Sequence, residues 1–334
     1  MIEHADIVID LQAGDTGKGK VANHLAENTK YDYVMRFNGG ANAGHTIFIK
    51  GQKVVTHQVP VGIFHNIPSI IGPGCVVNYP KLLEELKMLK DLGFSAPVFV
   101  DKRTHLTTDS HIAEDSTDTK IGTTKQGIGP TYRDKVSRVG LRYGDTDYYP
   151  NSTDIYHVLY ETQKPLSILC EGAQGFQIDI DWGDYPYVTS SSCTVAAVAQ
   201  NGIAPRYWRN IYGTMKAYET YSGFKTHYTE SNPTFDKIQE LGGEFGATTG
   251  RKRQVRWLHL DEVLQAMYIN NVTDLIISKI DILDQVGKYG VVFRGNIYEY
   301  EARELFIEFV EETIRWYYRP TLNSITWSSS PEKV

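Results

Sequence analysis

The sequence predicts an α/β fold with a mainly parallel central sheet and flanking helices. Three observations predict it. Residues 5–11 (ADIVIDL) form a short, β-branched apolar run that ends at a glycine-rich loop. Residues 21–27 then resume with helical character, and strand, glycine loop and helix together open a nucleotide-binding α/β unit. Further strand-like runs at 33–37, 54–59, 69–71, 97–101, 167–170, 211–216 and 274–280 alternate with helical stretches, which implies parallel pairing. The clearest helix is 80–92, where Leu82, Leu83, Leu86 and Leu89 recur at helical spacing before Gly93. Residues 261–270 and 301–318 are also helical, the second ending at Arg319-Pro320.

With 41% hydrophobic and 22% charged residues, a chain of 334 residues can bury a sizeable core without staples. No linker or internal repeat divides it, so a single domain over 1–334 is expected, carrying long loops at 104–132, 179–194 and 222–256. Long ordered loops usually serve function. The 34 basic and 40 acidic residues leave a net charge of −6, which disfavours nucleic acid as the main partner and leaves room for small anions in a local basic pocket. Cys75, Cys170 and Cys193 are too few and scattered for a disulfide framework or a zinc cluster, as in a reducing compartment. Residues 1–11 carry Glu3, Asp6 and Asp10 without a basic segment, unlike a signal peptide. No apolar run approaches the roughly 18–20 residues that span a bilayer. A cytoplasmic enzyme acting on small molecules, away from membranes, is the expectation.

The strongest local signal is Gln12-Ala13-Gly14-Asp15-Thr16-Gly17-Lys18-Gly19-Lys20. Gly14, four residues, then Gly19-Lys20 satisfies the first part of the phosphate-loop pattern, but Val21 stands where that pattern places a magnesium-binding hydroxyl. Asp15 is the replacement oxygen ligand for Mg²⁺. The glycines let backbone N–H groups approach phosphate, the following helix points its positive end at it, and Lys18 and Lys20 add charge.

Beyond this loop, Asn38-Gly39-Gly40-Ala41-Asn42-Ala43-Gly44-His45-Thr46 makes the sequence resemble the adenylosuccinate synthetase family. Matching segments follow in order: 122–124 with 127–130 and 134–138, Glu171-Gly172-Ala173-Gln174-Gly175, 185–191, 246–253 and 278–284. The likeness runs nearly end to end, and the length is similar to the compact archaeal form. It implies an enzyme that joins L-aspartate to C6 of a purine 5′-monophosphate with GTP and Mg²⁺. In that resemblance Asp15 is the base at purine N1 and a metal ligand, with the Gly44 carbonyl as the second protein ligand. His45 is the acid that steadies the transferred phosphate, Gln174 a donor to the O6 anion and Lys18 a γ-phosphate ligand. Gly14, Thr16, Gly17, Gly19, Lys20 and Thr46 complete the GTP phosphate site. Lys279, Asp281 and the tail Ser328-Ser329-Ser330 frame its base. Asn42, Thr124, Thr189, Gln174 and Arg138 hold the acceptor nucleotide, Arg138 reaching in from a second subunit and so implying a homodimer. Ala247, Thr248, Thr249, Gly250, Arg251 and Arg253 grip aspartate, the arginines offering planar forks to its carboxylates.

Four positions depart from the family pattern. Ala13 stands for a bulky aromatic, Thr16 for a glutamate, Gln126 for an arginine, and Gln254-Val255-Arg256-Trp257 replaces a threonine and a glycine. The run 8–12 with 16–19 resembles a phage branch of the family that acts on dGMP to make the succinyl precursor of 2-aminoadenine deoxynucleotides. Members of that branch commonly carry serine at the loop aspartate and favour an ATP-type donor, whereas this chain keeps Asp15 and Ser278-Lys279-Ile280-Asp281. Loss of a ring at 13 and a carboxylate at 16 is expected to open space near the purine. The acceptor expectation leans to dGMP or GMP, with IMP as the alternative. A non-catalytic GTP switch is the competing class, one that has no need of His45, Gln174 or the arginine loop. His57, His65 and His111 read as surface or core residues, and Asp179 and Asp181 as loop caps.

Overall fold

The computed structural model describes residues 1–49, 51–118, 122–146, 150–225, 228, 232–246, 250–330 and 334. Its centre is a nine-stranded sheet in the spatial order Ser324–Ser328, Asp274–Ser278, Trp208–Lys216, Ile2–Asp10, Leu166–Glu171, Tyr33–Arg36, Ser69–Ile71, Val98–Asp101, Ser152–Thr153. Every neighbouring pair in it is parallel. Strand Ile2–Asp10 carries the apolar run Ile7-Val8-Ile9 because both faces of the sheet are covered there. Ile7 and Ile9 belong to one core with Met35, Ile168, Ile211 and Leu275. Val8 points the other way, to Val34, Leu169 and Ile276, where Val21, Ala22, Leu25 and Ala26 of helix Lys18–Asn28 pack. A smaller four-stranded sheet, Tyr218–Tyr221, Gln254–His259, Tyr289–Phe293 and Asn296–Tyr300, stands beside it.

The helix expected at 80–92 spans Tyr79–Asp91, begun by the Asn78 side chain, which accepts from the Lys81 N–H at 3.1 Å. The expected strand 54–59 is instead Gln52–Thr56, paired antiparallel with His45–Ile49 in a separate hairpin. The expected strand 274–280 stops at Ser278, because Lys279 turns the chain at φ 71° into helix Ile280–Val286. Two expected loops are partly helical. Helix Asp109–Ser116 lies within 104–132, and it buries His111 and Asp115 rather than an apolar stripe, so periodicity does not reveal it. Helix Pro233–Leu241 lies within 222–256, started by Asn232 and Pro233. Among the described residues no helix is long and apolar enough to cross a membrane.

Candidate active site

A cavity of about 1080 Å³ opens at the carboxyl ends of the central strands, where ligands of open parallel sheets bind. The phosphate loop forms its floor. Asp10, the last residue of the central strand, organises that loop. Its Oδ1 accepts from the N–H of Gln12 (2.9 Å) and Gly14 (3.3 Å), and its Oδ2 from the N–H of Thr16 (3.3 Å). The Thr16 hydroxyl (2.5 Å) and Lys18 Nζ (2.8 Å) complete the set. Gly17 enters the helix at φ 103° and offers no side-chain cap, so the positive end of helix Lys18–Asn28 meets the cavity. Gly175 lets the next loop press on this one: a Cβ there would lie 2.3 Å from the Gln12 carbonyl oxygen.

His45 is buried on the cavity wall. Its Nδ1 meets Glu171 Oε1, which also accepts from Arg36 Nη2 at 2.8 Å, while Glu171 Oε2 accepts from the Val61 N–H at 2.9 Å. Burial would raise the Glu171 pKa, but Arg36 and His45 outweigh it and hold the carboxyl well below its usual range. Burial, then Arg36, pushes the His45 pKa down to about 4. The neutral ring therefore donates Nδ1–H to the carboxylate and leaves Nε2 bare. Among the described residues Nε2 of His45 and both polar atoms of the Gln174 amide are buried without a hydrogen-bond partner. Buried polar atoms left open in this way mark where a ligand supplies the partners.

Asp15 stands at φ 58°, with Oδ2 2.5 Å from Arg253 Nη2 and 3.4 Å from the Ser222 hydroxyl that donates to it. Arg251 donates from Nη2 to the carbonyls of Gly122 (2.7 Å) and Thr123 (2.8 Å). Lys20 donates to Ser328 Oγ at 2.5 Å and the Ser330 carbonyl at 3.0 Å, tying the last strand to the loop. Burial pulls the Lys20 pKa down to about 8, with Asp281 opposing. Lys279 Nζ donates to the Gly242 carbonyl at 2.7 Å.

The cavity brings together Gly14 to Lys20, Asn42, Gly44, His45, Thr46, Thr124, Gln174, Thr189, Arg251, Arg253, Lys279, Asp281 and Ser330. Ser328, Ser329 and Gly250 are outside the lining: Ser328 is buried on Lys20, Ser329 faces solvent, and Gly250 turns the loop at φ 66°. Ala247, Thr248 and Thr249 lie outside the described residues. Arg138 does not reach this cavity; it is exposed at the end of helix Ile128–Ser137. Ala13 and Thr16 both line the cavity, beside Tyr221. Ala13 is buried against Tyr221 and Tyr228, and Thr16 turns inward to Asp10 and to Thr214, 2.6 Å away. Asp179 is a loop cap as read, accepting from the N–H of Asp181, Trp182 and Cys193.

Sequence reasoning assigned no role to Asp10, Arg36, Glu171, Tyr221 or Glu244. A carboxylate directly after Ile7-Val8-Ile9 and just before a glycine loop was the signal for Asp10, and Glu171 likewise ends its strand just before Gly172.

Asp15 and Gly44 both line the cavity and would offer a carboxylate and a carbonyl to a metal, and among the described residues no cluster of three metal-ligating side chains exists. That fits Mg²⁺, which takes one or two protein oxygens and completes its shell with substrate phosphate and water.

A parallel sheet with a phosphate loop at its carboxyl edge, facing a buried histidine and an open amide, defines a nucleotide-dependent group-transfer enzyme. A family model described as adenylosuccinate synthetase matches residues 7–151 and 146–312. The adenylosuccinate synthetase of Cytophaga hutchinsonii is 36% identical over 98% of this chain and 91% of its own length. That of Chlorobium chlorochromatii is 38% identical over 84% of this chain and 77% of its own. The solved, fully ligated adenylosuccinate synthetase of Plasmodium falciparum superposes with a TM-score of 0.85 at 26% identity, covering 98% of this chain and 97% of that one. The succinoaminodeoxyadenylate synthetase of cyanophage S-2L shares the fold, with a TM-score of 0.73 at 22% identity over 94% and 99% of the two chains. The chain belongs to the adenylosuccinate synthetase family, whose activity is a GTP-dependent carbon–nitrogen ligation.

Proposed function

We propose that the protein joins L-aspartate to C6 of a purine 5′-monophosphate through a 6-phosphoryl intermediate, releasing GDP and phosphate. The observation that carries this reading is the set of buried atoms without protein partners, His45 Nε2 and the Gln174 amide, on two residues that line one cavity with the phosphate loop. A bare nucleotide switch leaves those groups without purpose.

A purine 6-oxo group is a poor nucleophile and a poor leaving group, so it must become a phosphate ester before an amine can displace it. Asp15 takes the N1 proton, and charge gathers on O6, where Gln174 donates a hydrogen bond. O6 attacks the γ-phosphorus of GTP and the bond to the β-phosphate oxygen breaks. Lys18, Lys20 and the loop N–H groups hold the phosphates. The charge of the transferring phosphoryl group beside Nε2 raises the proton affinity of His45, so that the ring acquires its second proton with the ligand and donates it as a hydrogen bond. The amine of aspartate, its carboxylates on Arg251 and Arg253, then attacks C6 and expels phosphate. Mg²⁺ held by Asp15 and the Gly44 carbonyl would neutralise charge on the triphosphate. Asn42, Thr124 and Thr189 hold the acceptor, and Thr46, Lys279, Asp281 and Ser330 the GTP.

We take dGMP or GMP as the acceptor. The run 8–12 with 16–19, which resembles the phage branch, supports it; the fold is common to the cyanophage enzyme, whose structure holds dGMP and dATP, and to the Plasmodium falciparum adenylosuccinate synthetase. IMP is the second reading, favoured by Asp15 and by Asp281 at the donor-base end of the cavity. In the same reading the catalytic unit is one domain over 1–334 working as a homodimer. Arg138 stands between exposed Val136 and Val139, as suits a residue that crosses to a second copy. Supplying GTP, Mg²⁺ and L-aspartate with either IMP or dGMP, and weighing the product, tests the assignment: adduct from IMP alone removes the dGMP reading, and none from either removes the ligase.

A further inference from the structure

Arg253 is held from three sides. Nη2 pairs with Asp15, Nε donates to the Ser222 hydroxyl at 3.2 Å, and Nη1 meets Glu244 Oε2. Only one of these partners is deeply buried. Glu244 is 1% exposed and also accepts from Lys216 Nζ at 2.9 Å and the Tyr218 hydroxyl at 2.7 Å, with Lys279 Nζ 4.0 Å away. Lys216 is itself buried and pinned to the Thr220 hydroxyl at 2.7 Å. The backbone adds to this: the Arg253 N–H donates to the Glu244 carbonyl at 3.0 Å and the Gly246 N–H to the Arg251 carbonyl at 2.8 Å. Glu244 and Arg253 thus face each other across the stem of the loop that carries both arginines.

We propose that Glu244 is a positioning residue for the amino-acid substrate, fixing Arg253 on the cavity wall so that its guanidinium passes from Asp15 to the incoming carboxylate. The proposal rests on the ligase reading above. Asp15 has two duties there, on the metal and at N1, and neither is compatible with its present pairing to Arg253. When the substrate carboxylate replaces Asp15 at Nη2, Arg253 loses its exposed anchor and keeps the buried one. A carboxylate locked by two other donors is a fixed pivot, whereas Ser222 supplies no charge.

The test uses Glu244→Asp, which keeps the charge that Lys216 needs and withdraws it by one methylene, alongside Glu244→Gln. Calorimetric titration of L-aspartate into protein loaded with the acceptor nucleotide and GDP reads the site directly, and steady-state kinetics reads it in turnover. The expected result is an L-aspartate Kd and KM raised about tenfold or more, with the acceptor KM and kcat within about threefold. A merely structural Glu244 lowers Tm and either leaves the L-aspartate KM alone or raises all KM values together, and each of these outcomes overturns the proposal. If the unaltered protein binds L-aspartate and makes adduct while the folded Glu244→Asp variant matches it, the proposal fails and the ligase stands. If the unaltered protein neither binds L-aspartate nor makes adduct, both fall.

Discussion

Oδ2 of Asp15 lies 2.5 Å from Nη2 of Arg253. In the proposed reaction this contact joins the base to the amino-acid grip. Asp15→Asn breaks this pair without changing shape. Turnover should fall by about 10³-fold or more, the combined loss of a general base and a metal ligand. L-aspartate binding should persist or tighten, because Arg253 has lost a competitor. Calorimetry with L-aspartate on the variant checks this, and loss of binding along with turnover would contradict it.

His45→Asn should reduce kcat by about 10²- to 10⁴-fold while GTP binding, followed by fluorescence of a labelled analogue, is retained. Its effect on acid stability has a defined sign. His45 drops from 6.5 to about 4 on folding, chiefly through burial. The unfolded chain therefore binds the proton first, and the stability held above pH 6.5 drains away as pH falls toward 4. Glu171, also lowered on folding, adds a loss at still lower pH. The Tm of the unaltered protein should fall between pH 7 and 5 by more than that of the variant, and equal slopes would contradict the burial argument.

Ala13 and Tyr221 belong to one buried apolar cluster. Ala13→Trp alone should cost about 1–3 kcal/mol by overpacking. Combined with Tyr221→Ala the cost should be smaller than the sum of the two single changes by about 1 kcal/mol or more. Urea denaturation of the four proteins gives the coupling, and strict additivity would show that the two side chains do not compete.

Arg138→Leu should raise the acceptor KM about tenfold or more, the loss of one charged hydrogen bond, although the residue lies outside its own cavity. Sedimentation should show the unaltered protein as a dimer. A monomer that turns over the acceptor normally would remove the cross-subunit role.

Much of this was legible because the chemistry is local in sequence. The phosphate loop, the segment from Asn38 to Thr46 and Gln174 all follow directly on central strands, and a parallel sheet carries strand ends to one edge. Features built from distant segments were not legible. Asp10 reads as one of two aspartates in the run 5–11 until the fold wraps five donors around it. The Glu171 carboxylate gains its meaning from Arg36 and His45, 135 and 126 residues away. Helix Asp109–Ser116 escaped because its buried face is polar.

The account's central claim is that O6 of the purine leaves as part of the phosphate. An acceptor monophosphate labelled with ¹⁸O at O6, turned over with GTP, Mg²⁺ and L-aspartate, tests it by the mass of the inorganic phosphate released. The account requires one ¹⁸O atom in each phosphate formed; phosphate free of label, alongside adduct, would show that no 6-phosphoryl intermediate forms.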